Sequence, residues 1–142
     1  MKVSVAWVGK TKERAIQSLT MEYLKRLSRY TPTQSMELSS EAALLKQLDR
    51  GEKFVALDTR GKQMSSEELA QFLAEHQNRG TQALLFGIGP ADGWSAEALK
   101  QASAQISLGR MTLPHELARV VLLEQLYRAF TILKGHPYHL GH

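Results

Sequence analysis

Apolar and polar positions change period repeatedly along this chain, and the changes mark out its elements. Lys2–Val8 alternates and is rich in Val and Trp, which predicts a strand ending at Gly9. Ile16, Leu19, Tyr23 and Leu27 then recur at helical spacing, with Thr11 as a candidate cap and Thr31-Pro32 as the stop. Met36–Leu38 predicts a short strand, and Glu41–Arg50 a short helix stopped by Gly51. The compact apolar run Phe54–Asp58 predicts a buried strand, followed by a turn at Thr59–Lys62. Ser65 and Glu68 form a capping box for a helix through about Asn78, closed by Gly80. Ala83–Phe86 is a second buried strand leading into Gly87-Ile-Gly-Pro-Ala-Asp-Gly93, and Ser95 caps a helix reaching about Ala104. Ile106–Met111 is the last strand, and a long helix begins near Pro114 and breaks at Gly135.

Strands and helices alternate throughout, without internal repeat or low-complexity stretch. The prediction is an α/β fold with a mainly parallel sheet covered by helices on both faces. Ligands in such sheets sit beyond the carboxyl ends of the strands. Three loops therefore form the candidate site: Leu57–Gly61, Gly87–Gly93 and Leu108–Leu113. The last helix adds a second expectation. Leu122, Leu126, Ala129, Phe130 and Leu133 share one stripe with His115 and Arg119, while Leu117, Val120, Val121 and Ile132 occupy another arc. A helix apolar on two sides needs two partners, the sheet and a second copy of the chain, so a homodimer is expected.

Composition narrows the chemistry. At 142 residues, with 43% hydrophobic and 23% charged residues, the chain is expected to be one domain spanning residues 1–142. No apolar run is long enough for a membrane helix, and the opening residues read as a strand instead of a signal peptide, so a cytoplasmic location is expected. The absence of cysteine excludes disulfides, thiolate-ligated metals and a cysteine nucleophile. A net charge of +4 favours a polyanionic partner such as RNA.

Each candidate group admits a structural and a functional reading. The loop Gly87–Gly93 is spaced GxGxxxG, which is not the dinucleotide fingerprint GxGxxG; it is either a tight turn or a backbone cradle for a nucleoside. Asp58 can accept from a ribose hydroxyl, or it can pair with Arg60 and fix the turn. Arg119 in an apolar stripe must snorkel or pair with Glu116 or Glu124, or else reach an anion or a base edge. His115 is either a satisfied structural histidine or part of the site. The tail gathers His136, Tyr138, His139 and His142; no acidic residue joins them, so a base-stacking Tyr with proton-competent His neighbours suits RNA better than a metal.

The chain resembles the RlmH family of small SPOUT-class methyltransferases. The resemblance runs nearly end to end, from Val3–Gly9 and Glu22-Tyr-Leu-Lys-Arg26 through Leu57-Asp58. It is most specific in Thr112-Leu-Pro-His115, Arg119, Glu124-Gln-Leu-Tyr-Arg-Ala129 and His136-Pro-Tyr-His139. It implies methylation of N3 of a pseudouridine in 23S rRNA of the ribosome, with S-adenosyl-L-methionine as cofactor and no metal. It also implies an obligate homodimer and a deep trefoil knot at the C-terminal end. The family's cofactor contacts carry over to Leu57, to Gly87, Ile88 and Gly89, and to Leu108, Gly109, Arg110, Met111, Thr112 and Leu113. On this reading Tyr138 and His139 hold the pseudouridine, and Arg119 of the partner subunit contacts the base or a phosphate. One departure stands out: the family's Ile-Gly-Gly-Pro-Glu-Gly is replaced here by Gly87-Ile-Gly-Pro-Ala-Asp-Gly93. It motivates one alternative, an RNA-binding module that has lost catalysis; another is a related enzyme acting on tRNA.

Overall fold

The computed structural model describes residues 1–141; the side chains of Asp49, Arg50 and His139 lie outside the described residues, as does His142. Five strands, β1 (Lys2–Val8), β2 (Thr33–Leu38), β3 (Lys53–Gln63), β4 (Ala83–Ile88) and β5 (Ala104–Ser107), form one sheet in the order β2-β1-β4-β3-β5. Every neighbouring pair is parallel. The helices are α1 (Arg14–Leu27), α2 (Glu41–Leu45), α3 (Ser66–Asn78), α4 (Ala96–Gln101) and α5 (His115–Lys134).

Alternation along the strands sorts the helices onto the two faces. Val3, Val5 and Trp7 of β1 and Leu84, Phe86 and Ile88 of β4 pack with Leu27 of α1, Leu73 of α3 and Leu122, Leu126 and Phe130 of α5. The intervening residues Ala6, Phe54, Ala56 and Leu85 meet Leu44 of α2 and Ala98 of α4 on the opposite face. Both faces are buried, which is why β4 reads as a continuous apolar run.

Local sequence sets most boundaries. Ser65 and Glu68 make the reciprocal capping box that begins α3. Gly135, at φ 71°, supplies the left-handed residue that ends α5. Elsewhere the structure corrects the sequence reading. Thr11 does not cap α1, whose N-cap Glu13 makes no side-chain bond; Thr11 instead bonds Glu37 and Arg119. The segment Thr59–Lys62 is not a turn between elements but a bulge within β3, which pairs with Ile106 at both Leu57 and Lys62. The last strand is shorter than expected, because after Ser107 the backbone leaves the sheet for the site. The tail is one 3-10 turn, Pro137–Gly141.

Candidate active site

β3 lies between β4 and β5, so the loops that follow these strands emerge side by side. They enclose a cleft of about 550 Å³, within the range of small-molecule sites. Leu57 and Asp58 form one wall, Ile88 to Trp94 a second, and Ser107 to Gly109 with Met111 to His115 a third. Of the residues expected to contact a cofactor, Leu57, Ile88, Gly89, Leu108, Gly109, Met111, Thr112 and Leu113 line this cleft. Gly87 and Arg110 do not: Gly87 is buried in the sheet, and the Arg110 side chain is exposed outside.

The glycine loop works differently from the sequence expectation. Neither Gly87 nor Gly89 has positive φ. A Cβ on Gly89 would stand 2.8 Å from Trp94 Cδ2, and one on Gly87 would stand 2.7 Å from Phe54 Cε1 and 3.2 Å from Trp94. These glycines admit the Trp94 indole beneath the loop. Its Nε1 donates to the Leu57 carbonyl at 2.8 Å, and its ring meets Phe54 edge-on at 5.3 Å. Trp94 therefore ties two walls of the cleft together. Sequence reasoning passed over it, although a tryptophan directly after a glycine-rich loop was the available signal.

Asp58 adopts the structural alternative. Its carboxylate accepts from the Arg60 backbone N–H at 2.8 Å and from the Arg60 guanidinium at 3.1 and 3.3 Å, which holds it below its ordinary pKa. Asp58 still lines the cleft, and Asp92 lies on another wall. The cleft thus presents carboxylates and no lysine or arginine side chain among its described lining.

The first turn of α5 forms the inner wall. His115 lies against the Gly89 carbonyl; burial holds its imidazole below the ordinary histidine value, and Arg119 adds to that effect. Its Nε2 is buried with no hydrogen-bond partner in the protein. Glu116 turns the other way and accepts from the backbone N–H groups of Lys12 and Glu13 at 2.9 and 3.2 Å, docking the loop after β1 onto α5.

Arg119 lies one turn further on and is fully buried. Its guanidinium stacks 3.8 Å from the centroid of Trp7, and Nη1 donates to Thr11 Oγ1 at 2.5 Å. Glu37, which accepts from Trp7 Nε1 and from Thr11, supplies a negative charge nearby. Nε and Nη2 of Arg119 have no partner, and the side chain is not part of the cleft wall.

The tail sits at the other end of α5. Tyr138 donates to Glu124 Oε2 at 2.9 Å and meets Tyr127 edge-on at 4.7 Å, while His136 Nδ1 and the Tyr30 hydroxyl are 2.5 Å apart. Burial raises the Tyr138 pKa far above that of an ordinary tyrosine, so the hydroxyl stays protonated and acts as a donor. From His115 to Glu124 the helix rises about 14 Å. The structure therefore separates Tyr138 from the cleft of its own chain. The His139 side chain, expected beside it, lies outside the described residues. Among the described residues no group of three or more His, Cys, Asp or Glu could hold a metal ion, and no helix is long and apolar enough to cross a membrane.

With this geometry in view, comparison with known proteins assigns the class. A family described as "Predicted SPOUT methyltransferase" matches residues 1–139. The SpoU methyltransferase AviRb from Streptomyces viridochromogenes, solved in complex with AdoMet, shares the fold at TM-score 0.52 and 10% identity, covering 95% of this chain and 61% of that one. Fold and family together define a methyltransferase of the SPOUT class. The Ribosomal RNA large subunit methyltransferase H of Koribacter versatilis (strain Ellin345) is 62% identical over 146 residues, covering 100% of both chains. That of Geobacter sp. (strain M21) is 42% identical over 152 residues, covering 98% of this chain and 99% of its own. This chain belongs to the RlmH family.

Proposed function

We propose that this chain methylates large-subunit ribosomal RNA using S-adenosyl-L-methionine, at N3 of a pseudouridine in 23S rRNA on assembled ribosomes. It does so in the cytoplasm as a homodimer of one-domain subunits with a deep trefoil knot at the C-terminal end. The observation that carries the reading is the cleft itself: the three strand-end loops that bear the family's cofactor motif converge on one space of the right volume. Its donor set fits the cofactor. A sulfonium is a cation, and the wall offers the Asp92 carboxylate and no lysine or arginine side chain of its own, the Asp58 carboxylate being paired with Arg60. Leu57, Ile88, Met111 and Leu113 give apolar surface for an adenine ring, and backbone groups of the loops supply hydrogen bonds. Ile88, where the family's glycine pair is altered, lines the cleft without closing it.

When bound, the cofactor supplies a methyl group already activated for transfer. The protein's part is alignment, which contributes up to roughly 7–11 kcal/mol in the best-oriented reactions. Leu57 and the segment Leu108–Leu113 hold one reactant. The tail of a second subunit completes the site, because Tyr138 lies too far along α5 to serve the cleft of its own chain. Tyr138 and His139 of that tail hold the pseudouridine and its proton near the methyl group, where a positioned general base is worth typically 10²–10⁴-fold. Arg119 of the partner subunit contacts the base or a phosphate, which requires its guanidinium to leave the buried stack on Trp7.

The test is methyl transfer from labelled cofactor to whole ribosomes, naked rRNA and tRNA, by the wild-type chain and by Arg119→Ala and His139→Ala variants shown to dimerise and bind cofactor. The expected result is incorporation into ribosomes alone and a loss of at least about 100-fold in each variant. Wild-type rates in both variants would overturn the residue roles. Incorporation into tRNA would reassign the substrate, and absence of saturable heat on calorimetric titration with the cofactor would leave only an RNA-binding module.

A further inference from the structure

Among the described residues that line the cleft, His115 alone has a buried side-chain polar atom, Nε2, without a hydrogen-bond partner. It stands in the first turn of α5 between Gly89 and Ala118, inside the space enclosed by the three loops. The Gly89 carbonyl acts on the ring and Nε2 has no partner, and we assign the proton to Nδ1 accordingly. That tautomer leaves Nε2 carrying a lone pair. A buried acceptor without a donor costs free energy comparable to a lost hydrogen bond, and such sites are characteristically completed by a ligand.

We infer that His115 Nε2 accepts a hydrogen bond from the adenosine half of the cofactor, making His115 a binding residue that selects a neutral donor. The inference rests on the cofactor reading above and refines it. Charge decides which half of the cofactor is concerned. Arg119 follows one turn later on the same face and acts electrostatically on the ring. A cationic donor, the sulfonium-bearing amino-acid half with its ammonium, is disfavoured so close to a buried guanidinium and is better placed toward Asp92. A ribose hydroxyl or the adenine amino group carries no such penalty. Burial and Arg119 together keep the imidazole neutral, so the lone pair is available around neutral pH. A histidine satisfied within the core is at odds with the unpartnered Nε2.

Calorimetric titration with S-adenosylhomocysteine and with 5′-methylthioadenosine, which lacks the amino-acid half, tests this directly. His115→Phe should weaken both by about tenfold, the equivalent of one hydrogen bond, and His115→Gln, which restores an acceptor, should recover most of the loss. Equal affinity of His115→Phe and wild type would overturn the inference. A loss confined to S-adenosylhomocysteine would overturn the assignment to the adenosine half. If the wild type itself binds neither probe, the cofactor reading fails and the inference with it, a distinguishable outcome. Should His115→Phe not fold, the wild type still reports: in ¹⁵N-histidine spectra the Nε2 resonance must move on saturation with S-adenosylhomocysteine, and an unmoved resonance would overturn the proposal.

Discussion

Gly89 and Arg119 show how far a residue's role depends on neighbours remote in sequence. Gly89 reads as a loop glycine, yet its missing Cβ makes room for Trp94, whose indole braces Leu57. Gly89→Ala should therefore push the indole aside, cost about 1–3 kcal/mol of stability and weaken cofactor binding, as thermal unfolding and calorimetry would report. An unchanged melting temperature would show that Trp94 has room to move. Arg119 is the opposite case, a charge kept where it does not help folding. Its stacking on Trp7 and single bond to Thr11 are set against complete burial and two bare nitrogens. Replacing such a group by an apolar one of similar length is often neutral or stabilising. Arg119→Met should thus unfold in urea within about 1 kcal/mol of the wild type, or above it, while methyl transfer to ribosomes collapses. A large loss of stability would mark Arg119 as a structural anchor instead.

At the scale of elements, α5 joins the parts of the molecule. It packs on the sheet between α1 and α3, with Leu122, Leu126, Ala129 and Phe130 inward as the helical count predicts. The second arc, Val120, Val121 and Ile132, is only half-buried, and Leu117 is 46% exposed next to the cleft. On the proposed reading a second subunit covers this arc. Leu117→Glu would place a charge there and should shift the protein to monomers in sedimentation velocity, with methyl transfer lost even though the fold persists. A dimer unaffected by the change would move the interface elsewhere. Boundaries were legible wherever a local device made them: the Ser65–Glu68 box, the Gly135 stop and the Gly51 stop are all where the sequence puts them. The bulge in β3 was not legible. The cause is Gly61, where a Cβ would stand 2.7 Å from the Gln105 and Ile106 backbone, a contact with a strand more than forty positions away.

The whole molecule responds to acid through groups it buries. Burial lowers the pKa of His76, and of His115 in the cleft wall. In the unfolded chain these residues take up protons at about pH 6.5, while the folded protein resists until lower pH. The unfolded state therefore binds more protons in that window, and stability falls as the pH drops from about 7 to 5. Glu37, Asp58 and Glu116 act in the same direction at still lower pH, because their folded values are depressed by hydrogen bonds from Thr11, Arg60 and Lys12 respectively. Urea midpoints at pH 8, 6 and 5 should decline in order, and His76→Gln should flatten the upper part of that decline. A midpoint that rises on acidification would contradict it.

Pattern alone determined the α/β alternation, the parallel sheet, the three loops of the cleft and the apolar stripe of α5. These depend on periodicity and on caps, which act within a few residues, so a linear reading captures them. Tertiary structure alone decided that Trp94 occupies the space left by Gly87 and Gly89, and that Arg119 lies against Trp7 outside the cleft. It alone left a buried nitrogen of His115 without a partner in the cleft wall, and set Tyr138 against Glu124 and Tyr127, midway along the helix. Each of these is a contact between segments that only the folded sheet brings together, where steric fit and desolvation, which have no sequence period, choose the partner.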